Sequence, residues 1–171
     1  MPVGHNVVMV KQAEHPESVV SAISACHRLL EGRALTSGEL RRKLAQRGFV
    51  ADAIDAAIER CVDALLIDDA AYAHTFVRQR LARGYGDQRI RHDLAQRGID
   101  VSLTNEALFS EARGVSAEDA CMTLLERRFS ADALHDVKAR AKAFRYLVSR
   151  GHTSSDADRA ISRLRDAHAD H

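Results

Sequence analysis

The chain has no tryptophan, and aromatic residues make up only 5% of its 171 positions, so neither a large aromatic core nor a platform of stacked rings is expected. Two prolines and nine glycines leave long stretches unbroken. A collagen-like or low-complexity chain is thereby excluded, and 46% hydrophobic with 29% charged residues excludes a disordered one. No apolar run approaches the roughly 20 residues needed to span a bilayer. The first residues lack the basic start and apolar stretch of a secretory signal. Cys26, Cys61 and Cys121 are widely spaced and form no CxxC pair. They read as reduced core thiols of a cytoplasmic protein, with no metal and no disulfide framework expected. A formal net charge of +1, from 25 basic and 24 acidic side chains, excludes a uniformly basic nucleic-acid binder but not a patchy one.

Alanine, leucine and arginine are plentiful, and all three favour helices. The most informative feature is a recurring phrase. Leu44-Ala45-Gln46-Arg47-Gly48-Phe49 returns as Leu94-Ala95-Gln96-Arg97-Gly98-Ile99, and more loosely as Leu147-Val148-Ser149-Arg150-Gly151-His152. A period near 50 residues indicates tandem supersecondary units. Each phrase reads as a helix end: a basic residue at the negative pole, glycine in the left-handed position, then an apolar contact.

Three helices per unit are predicted. In the first, residues 17–31 carry Val19, Ile23, Cys26 and Leu30 on one face; Thr36-Ser37-Gly38-Glu39 is a capping box opening a helix with Leu40 and Leu44. The third helix shows an amphipathic stripe of Ile54, Ala57, Ile58, Cys61, Val62, Leu65 and Leu66. Asp68-Asp69 is expected to cap the next helix, Asp87 the one after Gly84-Tyr85-Gly86, and Ser116 with Asp119 the one after that. The expected fold is all-α, with three tandem three-helix-bundle repeats (17–67, 68–115 and 116–166) in an elongated, curved molecule. Residues 1–16 form an N-terminal extension and 167–171 a tail, both read as loose ends.

Charge alternates along these units. Residues 33–47 hold five basic and one acidic side chain, 50–70 one and six, 71–99 six and two, 100–126 one and six, and 127–150 seven and two. Stacked repeats would line the basic helices into a stripe suited to a polyanion or an acidic protein groove. Arg41, Arg42, Lys43, Arg89, Arg91, His92, Lys142 and Arg145 are the candidate contacts. No P-loop, HExxH or dinucleotide-binding glycine motif is present, and no nucleophile, base and orienting acid assemble from local spacing. The expectation is a non-enzyme without cofactor, metal or small-molecule substrate. The rival is a sequence-specific helix-turn-helix repressor built on Leu40 to Ile58. Its recognition helix would carry Asp52, Asp55, Glu59 and Asp63, a poor set for meeting phosphate.

Residues 65–99 hold Leu66-Ile67-Asp68-Asp69-x-x-Tyr72-Ala73-x-x-Phe76-Val77-x-x-Arg80, then Gly86, Arg89-Ile90, Leu94 and Arg97-Gly98-Ile99. This pattern resembles the RecX family of bacterial recombination regulators, as do Ser37-x-Glu39-Leu40-x-x-Lys43-Leu44-x-x-x-Gly48 and Lys142-Ala143-x-Arg145-Tyr146-Leu147-x-x-Arg150-Gly151. The resemblance spans about residues 18–166. His152 departs from it, standing where an aromatic or aliphatic residue is usual. The resemblance implies tandem three-helix repeats and binding to the RecA recombinase in the groove of its DNA-bound filament. It further implies suppression of ATPase, strand exchange and SOS co-protease activity, with weaker, non-specific binding to single- and double-stranded DNA.

Overall fold

The computed structural model describes residues 12–112 and 114–167, which form nine α-helices, one 3-10 turn and no strand. The expected tail residues 1–11 and 168–171 lie outside that range. The chain divides into two compact units, residues 1–69 and 70–171.

The first unit holds α1 (Val19–Leu30), α2 (Ser37–Gln46) and α3 (Ala51–Asp63). Thr36 accepts from the Glu39 amide, and the Glu39 carboxylate accepts from the Thr36 amide, so the expected capping box is closed. Ala22, Cys26, Leu40, Leu44, Ile54, Ala57 and Cys61 make the centre of a core that also buries Phe49 and Ile67. Two expectations are corrected here. Residues 13–16 are not a loose tail: the Ala13 amide donates to the Arg47 carbonyl at 2.8 Å, and the Val50 amide to that of Pro16 at 3.0 Å. The apolar stripe of α3 also stops early. The helix ends at Asp63, Leu65 takes a left-handed φ of 56°, and the Leu66 amide returns to the Cys61 carbonyl at 2.9 Å. That turn leaves Leu65 86% exposed instead of extending the buried face.

The second unit holds α4 (Asp69–Ala82, beginning at the junction), α5 (Asp87–Ala95), α6 (Val101–Ala112), α7 (Ala117–Glu126), the 3-10 turn Asp132–His135, α8 (Val137–Ser149) and α9 (Ser154–Asp166). Its core has two clusters: Ala73, Val77, Ile90, Leu94, Ala107 and Leu108 under α4–α6, and Cys121, Leu125, Leu134, Leu147, Ala157 and Ile161 under α7–α9. Ser116, Asp136 and Thr153 cap α7, α8 and α9 through their side chains. Gly48, Gly98 and Gly151 all have positive φ, and the amides of Phe49, Ile99 and His152 each reach back to Leu44, Leu94 and Leu147. The repeated phrase is therefore a helix terminator in all three places, and His152 is buried like Phe49 and Ile99.

One acidic cap differs from expectation, and another acidic residue does more than expected. Asp69 starts α4 as predicted, but its carboxylate accepts from the Ser37 amide at 3.0 Å and from the Ser37 hydroxyl, covering the first turn of α2. Asp87 does not cap α5. The N-cap is Gly86, which has no side chain to give, and the orphan amides of Gly86 and Gln88 donate to the carbonyls of Arg150 and Gly151 at 2.9 and 3.1 Å. The end of α8 therefore caps the start of α5.

Candidate nucleic-acid and partner interface

The predicted contact residues fall in both units. Arg41, Arg42 and Lys43 lie on α2, opposite buried Leu40 and Leu44. Arg89, Arg91 and His92 lie on α5 beside buried Ile90 and Leu94, and Lys142 and Arg145 lie on α8 beside buried Ala143 and Leu147. All are exposed except half-buried Lys43. Several are already engaged. Arg41 pairs with Asp55, and Arg91, one repeat later, donates to Asn105; both pairs span 14 residues. Arg89 pairs with Asp93 at 3.0 Å. Arg42, Lys142 and Arg145 make no ion pair among the described residues.

A denser cationic feature in the second unit was not singled out from the sequence. Phe76 of α4 has the guanidinium carbons of both Arg80 and Arg97 at 4.8 Å from its ring centre. Arg80 also stacks on Tyr85 at 5.0 Å. Arg150 lies 5.4 Å from the Tyr85 centre and 5.0 Å from that of Tyr146, and Arg128 stacks on Tyr146 at 4.7 Å. The result is an unbroken alternation of guanidinium and ring from α4 and α5 across to α7 and α8. Most ring contacts here are with arginines, and Tyr72 and Phe76 stack with their ring centres 6.2 Å apart.

Hydrogen bonds fix the ladder. Arg97 Nε donates to the Tyr72 hydroxyl at 3.0 Å and its Nη1 to the Asp93 carbonyl at 2.7 Å, while Arg150 Nη1 donates to the Arg83 carbonyl at 2.7 Å. Asp93, 8% exposed, is held by Arg89. Arg80 Nη2 stands 3.2 Å from its other oxygen without hydrogen-bond alignment, so that contact is coulombic. Arg128 and Arg150 have no carboxylate partner among the described residues. The sequence holds a signal for this site: Arg47, Arg97 and Arg150 share one place in the repeated phrase, and Tyr72, Phe76 and Arg80 recur at helical spacing.

Beside the ladder, His152 is 4% exposed, and its Nε2 donates to the Gly84 carbonyl at 3.3 Å. Burial holds its basicity below the usual histidine value, against the opposing Gly84 bond and the carboxylates of Asp156 and Asp87. A cavity of about 390 Å³ adjoins it, lined by Leu81, Tyr85, Val115, Ala120 and Thr153 among others. The cysteines offer no ready nucleophile: burial, then contact with Cys61, pushes the Cys26 thiol up to about 12, and burial does the same to Cys121. No group of three metal-ligating side chains converges among the described residues, and no helix among them is long and apolar enough to cross a membrane. Asp52, Asp55, Glu59 and Asp63 of α3 are all exposed.

These features define an all-α protein of tandem three-helix units with cationic faces. Residues 22–61 match the family described as RecX, first three-helix domain, and residues 68–108 match RecX, second three-helix domain. The chain is 34% identical over 124 residues to regulatory protein RecX of Pseudomonas putida (strain W619), covering 72% of this chain and 78% of that one. It is 40% identical over 124 residues to that of Chromohalobacter salexigens, covering 72% and 80%, and 32% identical over 143 residues to that of Vibrio campbellii, covering 84% and 91%. The crystal structure of RecX from Lactobacillus salivarius superposes with a TM-score of 0.70 at 25% identity, over 85% of this chain and 96% of that one. The chain belongs to the RecX family of regulatory proteins.

Proposed function

We propose that the chain is a cytoplasmic, non-enzymatic regulator of the RecA recombinase. It binds the DNA-bound recombinase filament in its groove, and so suppresses ATPase, strand exchange and SOS co-protease activity. Residues 17–67, 68–115 and 116–166 act as its three repeats. The observation that carries this reading is family membership over more than two thirds of the chain, with regulatory proteins as relatives. The cationic faces of α2, α5 and α8 support it physically. Exposed Arg42, Lys142 and Arg145, without an ion pair among the described residues, suit the DNA floor of the groove. The acidic face of α3 speaks against a recognition helix seated in a DNA groove, since its carboxylates would meet phosphate. Occupying one filament state more tightly than another is sufficient to shift that equilibrium.

The test is co-sedimentation with RecA filaments on single-stranded DNA, with naked single-stranded DNA as control. Wild-type chain is expected in the pellet and is expected to inhibit ATP hydrolysis. Lys142→Glu with Arg145→Glu is expected to fold normally, to bind less and to inhibit less. On naked single strands the double variant is expected to flatten the log–log salt dependence by about 1.4, about 0.7 per lost phosphate contact. A wild-type chain that stays in the supernatant and leaves ATP hydrolysis unchanged overturns the proposal.

A further inference from the structure

The three arginines that share one place in the repeated phrase meet different surroundings. Arg97 lies over the Phe76 ring at 4.8 Å and donates to the Tyr72 hydroxyl at 3.0 Å. Arg150 lies over Tyr85 and Tyr146 and donates to the Arg83 carbonyl. Arg47 has no such support. Its Nη1 is buried without a hydrogen-bond partner, and no ring stacks on its guanidinium among the described residues. A buried cationic donor left without an acceptor is costly, so Arg47 marks a place where a partner is missing.

The cause lies in α1. Ala73 and Val77 are fully buried on α4, and Ala22 and Cys26 are fully buried at the same spacing on α1. In that register Tyr72 matches Ser21, and Phe76 matches Ala25. The first unit therefore lacks both the ring and the hydroxyl that hold Arg97 in the second. A cavity of about 440 Å³ lies here, lined by Ser21, Ala25, Arg47 and Phe49. Residues 12–15 wall it on another side, and the Ala13 amide ties that wall to the Arg47 carbonyl at 2.8 Å. Arg28 adds a second guanidinium to the lining, and the one carboxylate there, Glu14, is exposed.

These features specify a guest. It needs a flat apolar body to cover Ala25, Phe49 and the face of Arg47, as Phe76 covers Arg97. It also needs an oxygen for Arg47 Nη1, and an anionic oxygen makes the stronger bond to a guanidinium. A bare phosphate has no body to fill the space. The volume lies within the range of small-molecule sites.

We propose that this cavity in the first unit binds a small aromatic carboxylate, whose ring takes the place of the missing phenylalanine and whose carboxylate accepts from Arg47. The proposal goes beyond the regulator reading and does not depend on it.

Calorimetric titration of the full-length chain with phenylacetate reads the site, and saturable binding to one site is expected. Phenylacetamide keeps the shape and loses the charge, and is expected to bind about tenfold more weakly. Cyclohexylacetate keeps the charge and loses the π face, and is expected to bind about 2- to 5-fold more weakly, the worth of one exposed cation–π contact. Ala25→Phe restores the ring that the second unit has. It is expected to lose phenylacetate binding while unfolding at or above the wild-type denaturant midpoint. Arg47→Met keeps an apolar stem and removes the donor, and is also expected to lose binding, which decides the matter if Ala25→Phe does not fold. Absence of saturable binding to wild type overturns the proposal. So does equal binding of phenylacetamide, or binding to either folded variant as tight as to wild type. Inorganic phosphate binding more tightly than phenylacetate overturns it as well, since the cavity would then be a bare anion site.

Discussion

Gly86 and Gly151 meet backbone to backbone. A Cβ on Gly86 would lie 2.4 Å from the Gly151 carbonyl oxygen and 2.6 Å from the His152 nitrogen. A Cβ on Gly151, which also has a φ of 89°, would lie 2.4 Å from the Arg89 nitrogen. The contact lets the end of α8 supply the carbonyls that cap α5, and it sets Tyr85 beside Arg150. Gly86→Ala is therefore expected to cost about 1–3 kcal/mol, the usual range for overpacking against atoms that cannot move aside. Urea unfolding followed by far-UV dichroism measures it, and an unchanged midpoint would show that the two backbones separate freely.

His152 predicts an acid sensitivity. Its folded basicity is depressed by burial, so the folded state favours the neutral ring and the unfolded state binds the proton more readily. Its contribution is fully present above the unfolded value of about 6.5 and is lost as pH falls below it, toward the lower folded value. Unfolding midpoints of wild type and His152→Phe, compared from pH 8 to pH 5, are expected to diverge below about pH 6.5, with wild type falling faster. Parallel curves would show that His152 takes up its proton equally in both states.

Asp93 is a buried carboxylate between Arg80 and Arg89, and the Asp93 carbonyl holds Arg97. Asp93→Ala removes the anion and leaves the guanidiniums. A loss of about 1.5–3 kcal/mol is expected, the range for hydrogen bonds to charged groups. Urea denaturation measures it, and an unchanged midpoint would show that the carboxylate does not hold the arginines in place.

Leu65 is 86% exposed at a φ of 56°, where a branched aliphatic side chain is strained and contributes no burial. Leu65→Asn keeps the turn and suits the left-handed region, so a gain of about 0.5–1 kcal/mol is expected, somewhat under the usual left-handed penalty of roughly 1–2 kcal/mol. Thermal unfolding reads it. A loss of stability would mean that the leucine makes contacts in solution that its exposure does not show.

Much of the helix pattern was legible because it is local. Thr36 and Glu39 close their box within one turn, Ser116 caps through Asp119 three residues on, and Gly48, Gly98 and Gly151 end helices by their own φ. The cap read wrongly is the one whose partners are remote: the first turn of α5 is served by carbonyls of Arg150 and Gly151, just as the added reach of Asp69 to Ser37 spans 32 residues. The end of α3 misled for a different reason. Apolar periodicity continues through Leu65 and Leu66, while the backbone has already turned at Leu65.

The candidate site divides along the same line. Arg41, Arg89, Lys142 and their neighbours were recognisable as exposed cations, because a residue beside Leu40, Ile90 or Ala143 on a helix must face outward. The ladder was not recognisable, since Arg150 bonds to Arg83 across 67 positions and stacks on Tyr85, and no window of sequence holds both. By itself the sequence determined the helical class, the 50-residue repeat and the helix ends, all set by interactions within a few turns. Only the tertiary structure decided which arginines stack, which carboxylate is buried among them, and that α8 caps α5. Those depend on backbones brought into contact by core packing, and the distances that create them have no counterpart along the chain.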